Sequence, residues 1–282
     1  KENINFNQKD MHVLGENTGT TIIDGDQKGT VVTFNGDANG NMPANAYVNT
    51  VLAGFTLTNG NGNIGGNGTS GGGIEINGAV KPTLRDLIIE NNYAQYGGGI
   101  YANGYLSQSP MNNWDNPDKK SLFDNIIIRN NQAGNAGGLE ISGNSSNREA
   151  CILNNLVIED NEIGNVCGGI VGNYMVLKNS IIRNNHSIGN DVGGGDFYNS
   201  SLINVLVEGN KGWYIGGVRF SGDYNSAINL TTSNNIAIGG AGEYTGETDT
   251  VGVAIRWGNL SLINSIVMDI LLLEENAVTN LA

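Results

Sequence analysis

Several residue classes are in short supply here, and each shortage removes an option. The 282 residues include 4 prolines, and charged residues make up only 15%, so the chain is neither a proline-rich disordered tract nor a charge-rich helical array. Two cysteines, Cys151 and Cys167, are too few for a disulfide framework. They stand sixteen positions apart within one repeat unit, where buried apolar thiols are the simpler reading and a Cys151–Cys167 bridge is the alternative. No run of 18 apolar residues occurs, which leaves no membrane-spanning helical segment. Lys and Arg together number 14 against a formal net charge of −13, so nucleic acid would meet repulsion over most of the surface and is excluded as a partner. A polyuronate meets the same repulsion, unless a local basic cleft or bound Ca²⁺ reverses it.

Glycine, by contrast, supplies 43 residues and asparagine recurs throughout. Both tolerate positive φ, which points to many short strands joined by tight turns. The asparagines are periodic. An apolar residue, an Asn or Asp two positions on, an apolar stretch and a second Asn recur in LRDLIIENN (84–92), FDNIIIRNN (123–131), LNNLVIEDN (153–161), LKNSIIRNN (177–185), LINVLVEGN (202–210), AINLTTSNN (227–235) and, incompletely, LINSIVMDI (262–270). Between them stand glycine-led strand starts: GGGIEI, GGGIYA, GGLEIS, GGIVGN, GGGDFY and GGVRFS. The first Asn-type column is Asp86, Asn125, Asn155, Asn179, Asn204, Asn229 and Asn264, and its tightest spacing is 24 residues.

A unit of this length, without helical periodicity, predicts an all-β, single-stranded right-handed parallel β-helix of about nine coils. When coils stack about 4.8 Å apart, equivalent asparagines form ladders whose amides donate to one coil and accept from the next. The second column, Asn92, Asn131, Asn161, Asn185, Asn210 and Asn235, is expected to do the same at the next corner. Leu84, Phe123, Leu153, Leu177, Leu202, Ala227 and Leu262 are core candidates, as are Ile89, Ile128, Ile158, Ile182, Val207, Thr232 and Val267. The adjacent column from Ile88 to Ile266 is also largely apolar, so alternation does not decide which column faces inward. The predicted organisation is a β-helix over 1–268, with an insert loop at 105–120, and a capping tail over 269–282 that hides the open end.

The start TIIDGDQKGTVVTF, the segment VLAGFTLTNG and the alternation of GGGI with IIENN resemble the right-handed β-helix repeat proteins of bacterial surfaces. The glycine-apolar and asparagine elements are also similar to the repeats of polymorphic outer-membrane proteins, on a pectate-lyase-like scaffold. The resemblance implies a secreted or cell-surface protein, with further strand and a secretion signal upstream of Lys1. It does not imply one activity, because this fold hosts lyases, hydrolases and adhesins alike.

Candidates for chemistry lie where the repeat is broken or decorated. The 105–120 insert carries Tyr105, Trp114, Asp115, Asp118, Lys119 and Lys120, and an exposed Trp114 ring suits a sugar face. Tyr93, Tyr96 and Tyr101 belong to one coil and Trp213 and Tyr214 to equivalent turns four coils on, roughly 19 Å away, a spacing suited to a polysaccharide or cell-surface glycan. Asp24 and Asp26 in IIDGDQKG, with Asp37 beyond, offer oxygen ligands for Ca²⁺, the one candidate cofactor, although Asp-Gly is first of all a turn dipeptide. The carboxylates on the glycine-led strands, Glu75, Glu140 and Asp196, stand at similar but not identical offsets in nonadjacent coils and make no cluster by sequence. His12 and His186 fall in none of the histidine motifs of pectate lyases or polygalacturonases. The first functional expectation is therefore a non-catalytic structural, adhesive or glycan-binding protein with end-to-end self-association through its coil ends. The alternative is a polysaccharide lyase or glycoside hydrolase acting at a groove.

Overall fold

A computed structural model describes residues 1–34, 49–62, 70–77, 82–103, 121–143, 151–189, 191–238, 252–267, 270–272 and 278–281. The 105–120 insert, with Tyr105 and Trp114, lies outside the described residues, as does Asp37. Among the described residues every strand pairing is parallel and there is no helix. Successive units pair in register, so the chain winds as a right-handed parallel β-helix.

Each coil has three strand types. The first is a long strand, as in Thr83–Glu90, Ser121–Arg129, Cys151–Glu159, Val176–Arg183 and Ser201–Glu208. The second has two residues, as in Tyr93–Ala94, Gln132–Ala133, Glu162–Ile163, His186–Ser187, Lys211–Gly212 and Ile236–Ala237. The third is the glycine-led strand: Ile74–Asn77, Ile100–Asn103, Leu139–Ser142, Ile170–Asn173, Gly195–Tyr198 and the start of Val218–Ser233. The glycines ahead of this third strand are dictated by close approach. A Cβ at Gly98 would lie 2.4 Å from the Gln132 carbonyl oxygen, and one at Gly99 would lie 2.6 Å from that of Gly138. No side chain fits between such coils.

Both predicted core columns face inward: Leu84, Leu153, Leu177, Leu202, Ile89, Ile128, Ile158 and Ile182 have no exposed surface. Ile88, Ile127, Val157, Ile181 and Leu206 are half-buried on the outer surface, and Ile266 is 66% exposed. Beyond them run ion pairs between neighbouring coils, Arg129 with Glu90 and Arg183 with Glu159. Cys151 and Cys167 are buried and free, and burial pushes the Cys151 thiol up to about 12.

The two asparagine columns differ. In the first, Asp86, Asn125, Asn155, Asn179, Asn204, Asn229 and Asn264 have φ between 48° and 55°, the left-handed conformation that bends each long strand in the middle. Their side chains point to solvent and link coil to coil, as in Asn204 Nδ2 to Asn179 Oδ1 at 3.0 Å and Asn229 Nδ2 to Asn204 Oδ1 at 2.7 Å. The column continues upstream as Gly54, opposite Asp86, with φ 82°.

The second column is the buried ladder. Asn131, Asn185 and Asn210 have no exposed surface and Asn92, Asn161 and Asn235 at most 2%. Asn210 shows the pattern. Its Oδ1 accepts from both the backbone N–H and Nδ2 of Asn185, each at 3.0 Å, while its Nδ2 donates to the Ile182 carbonyl at 3.0 Å and to Asn235 Oδ1 at 2.9 Å. The residue just before each rung is left-handed: Asn91, Asn130, Asp160, Asn184, Gly209 and Asn234. Asn, Asp and Gly all suit that conformation, whereas the rung admits only a side chain that both donates and accepts. The ladder begins at Gly60, whose N–H donates to Asn92 Oδ1 at 2.8 Å. A Cβ there would lie 1.9 Å from the Gly72 carbonyl oxygen, so no rung fits in that coil.

Candidate functional site

Strand alternation on the glycine-led sheet sends Ile74, Ile100, Leu139, Ile170 and Val218 into the core, and the residue after each of them outward. The register then stacks these outward residues in one column: Glu75 on Tyr101, Tyr101 on Glu140, Glu140 on Val171, Val171 on Asp196 and Asp196 on Arg219. The three carboxylates thus share identical register, where their spacing from the glycines had suggested an offset. Unequal numbers of leading glycines cause the apparent difference. They remain two coils apart, about 9 to 10 Å along the axis.

Their environments differ. Asp196 is committed to Arg219, accepting from Nε at 3.1 Å and Nη2 at 2.7 Å. Arg219 also donates through Nη1 and Nη2 to Asp191, in the turn before the strand, and is 8% exposed. Burial opposes its charge, but Asp196 and Asp191 more than offset this and hold its pKa above the usual value. Glu75 is raised by burial and accepts a 2.8 Å hydrogen bond on Oε1 from Asn77 Nδ2, which favours its ionised form. Glu140 is raised by burial to about 7. Its Oε2 is enclosed and accepts no hydrogen bond from the described residues.

A second outward column runs two residues further along the same strands. Ser142, Asn173, Tyr198 and Ser221 follow one another in register, with Trp257 opposite Ser221 beyond a bulge. Asn173 Nδ2 donates to Ser142 Oγ at 3.3 Å. Tyr198 meets the Tyr174 ring edge-on at a centroid distance of 5.1 Å and Trp257 at 5.7 Å. This half-buried aromatic group has no forerunner in the linear pattern, since Tyr174, Tyr198 and Trp257 belong to three coils.

Of the residues singled out by sequence, Tyr101 lies on this face and Tyr96 packs beside it, ring centroids 6.2 Å apart. Tyr93 sits on the two-residue sheet, opposite Gln132, and is 45% exposed. Trp213 is 39% exposed in the turn after Lys211–Gly212, and the Tyr214 N–H donates to the Asp191 carbonyl at 3.1 Å. The structure therefore brings Tyr96 and Tyr101 together, with Tyr93 on the two-residue sheet and Trp213 in the turn that follows that sheet four coils on.

Asp24 and Asp26 occupy a tight turn, with Asp26 at φ 52°. Asp26 pairs with Lys1 and, at 2.7 Å, with Lys28, which pull its carboxyl down to about 2. Asp24 Oδ1 accepts from the Asp26 N–H at 2.9 Å and Asn59 Nδ2 at 3.2 Å. A hard cation at this turn would have to displace two ammonium groups. Among the described residues no three His, Cys, Asp or Glu side chains converge as a metal site, and no helix is long and apolar enough to cross a membrane.

No protein-family model matches the chain, and no curated protein matches it. Among solved structures it is similar to the A-module of mannuronan C-5 epimerase AlgE4 from Azotobacter vinelandii, at 10% identity and a TM-score of 0.41, over 96% of this chain and 83% of that one.

Proposed function

We propose that this is a secreted or cell-surface β-helix protein that binds an extended glycan along the outer face of its glycine-led sheet. The observation that supports this most is the arrangement of aromatics on one strip: Tyr96 and Tyr101 at one end, Tyr174, Tyr198 and Trp257 at the other, with Ser142, Asn173 and Glu140 between. Tyr101 and Tyr198 are three coils apart, about 14 Å, so the strip fits a chain and not a single small molecule. Rings take the apolar faces of sugars, and amide, hydroxyl and carboxylate groups take the hydroxyls. The outer face of a stacked sheet repeats at one coil, which suits a polymer of repeating units.

Retention of the protein in gels containing soluble polysaccharides tests this reading. Trp257→Ala and Tyr198→Ala should each weaken binding about tenfold or more, in line with the loss of an aromatic anchor, while Tyr93→Ala, on the separate two-residue sheet, leaves it unchanged. Equal binding by Trp257→Ala, Tyr198→Ala and the parent protein would rule the face out.

A further inference from the structure

We propose that Glu140 and Glu75, which flank Tyr101 along the helix axis, hydrolyse a glycosidic bond of the bound glycan with inversion, Glu140 acting as the acid and Glu75 as the base. This rests on the glycan-binding reading of the same face.

The column order carries the argument. Glu75, Tyr101 and Glu140 occupy three successive coils in strict register. The two carboxyls are set about 9 to 10 Å apart at their backbones, and inverting hydrolysis calls for about 6.5 to 9.5 Å between acid and base so that a water fits beside the sugar. A sugar stacked on Tyr101 lies between them. With the glycan along the axis, its glycosidic oxygen points toward Glu140 and the opposite side of its anomeric carbon toward Glu75. The leaving portion then extends past Ser142 and Asn173 to the Tyr198 platform.

The surroundings divide the roles. Among the described residues Glu140 has no hydrogen-bond donor on its enclosed Oε2 and no cation paired with it, so its neutral form is favoured. Glu75 accepts from Asn77 Nδ2, which stabilises the carboxylate. Asp196, the third carboxylate of the column, is withdrawn from this chemistry by Arg219. In the reaction Glu140 gives its proton to the glycosidic oxygen as the bond from that oxygen to the anomeric carbon breaks. Water attacks the same carbon from the opposite side and passes a proton to Glu75. The products are two shorter glycans, one with a new reducing end of inverted configuration; Glu75 then releases its proton and Glu140 regains one by exchange with solvent.

The test uses the whole chain with soluble xylan, galactan and β-glucan as probes, following gel retention, release of reducing ends and, by proton NMR, the anomer first formed. The expected result is release by the parent protein of the inverted anomer. Glu140→Gln should lower it about 10²- to 10⁴-fold, the scale of general acid catalysis, and Glu75→Gln should also lower it, both with melting temperature preserved and with retention reduced far less than release. Retention without reducing ends from any probe overturns the hydrolysis and leaves the binding face standing, and so does Glu140→Gln releasing as fast as the parent. Unsaturated products, marking elimination, or a retained anomer overturn the mechanism. Absence of retention on every probe overturns the binding face and the hydrolysis with it.

Discussion

Two asparagine columns run along this β-helix, similar in sequence and opposite in physical role. The column from Asp86 to Asn264 is exposed and serves the backbone: its residues hold the left-handed bend, and water can replace their side-chain hydrogen bonds. The column from Asn92 to Asn235 is buried, and each amide there satisfies groups in the coils on both sides. The same residue type thus answers a conformational need in one place and a desolvation need in the other. Truncating Asn204 therefore strands no buried partner, because Asn179 and Asn229, to which it bonds, are exposed.

Substitutions at the two columns should separate these roles. The largest effect is expected for Asn210→Asp, which puts an acceptor-only group at a site with no exposed surface and leaves the Ile182 carbonyl without its donor. A loss of more than about 3 kcal/mol, or failure to fold, should follow in denaturant titrations. Asn210→Ala comes next, at about 2 to 3 kcal/mol, because the Asn185 N–H and Nδ2 both lose their acceptor. Asn204→Ala should cost about 1 kcal/mol, set by forcing a Cβ into the left-handed region without a compensating local hydrogen bond. Asn204→Gly should stay within about 0.5 kcal/mol of the parent, since glycine adopts the bend freely. If Asn204→Ala and Asn210→Ala shift the denaturant midpoint equally, the distinction between the columns is wrong.

Both columns, the repeat length and the two inward apolar stripes were legible in sequence, because stacking turns a periodic pattern into a spatial one. Which asparagine column is buried was also written there, in a subtler form. The first column admits Asp86, as its left-handed position accepts substitutes, whereas all six rungs of the second are Asn. Alternation could not separate Ile88 from Ile89, since apolar residues occupy both faces of that strand. The site was less legible. Tyr101 was identifiable as an aromatic in a coil, but Tyr174, Tyr198 and Trp257 meet only through register, the last across a bulge between Phe220 and Ser221. The alignment of Glu75 with Glu140 was hidden by GGG in one coil and GG in the other.

The buried ladder also makes coil number a free variable of this architecture. Each rung interacts only with its immediate neighbours, and Asn161 and Asn185 are one rung and 24 residues apart. Excising 161–184 joins Asp160 directly to Asn185, restoring the left-handed residue and rung pair and offering Asn131 an equivalent acceptor in place of Asn161. Whole coils can therefore be removed or duplicated without orphaning an amide, while a deletion of half a coil breaks every contact across the cut. Length in such a molecule changes in quanta of one turn.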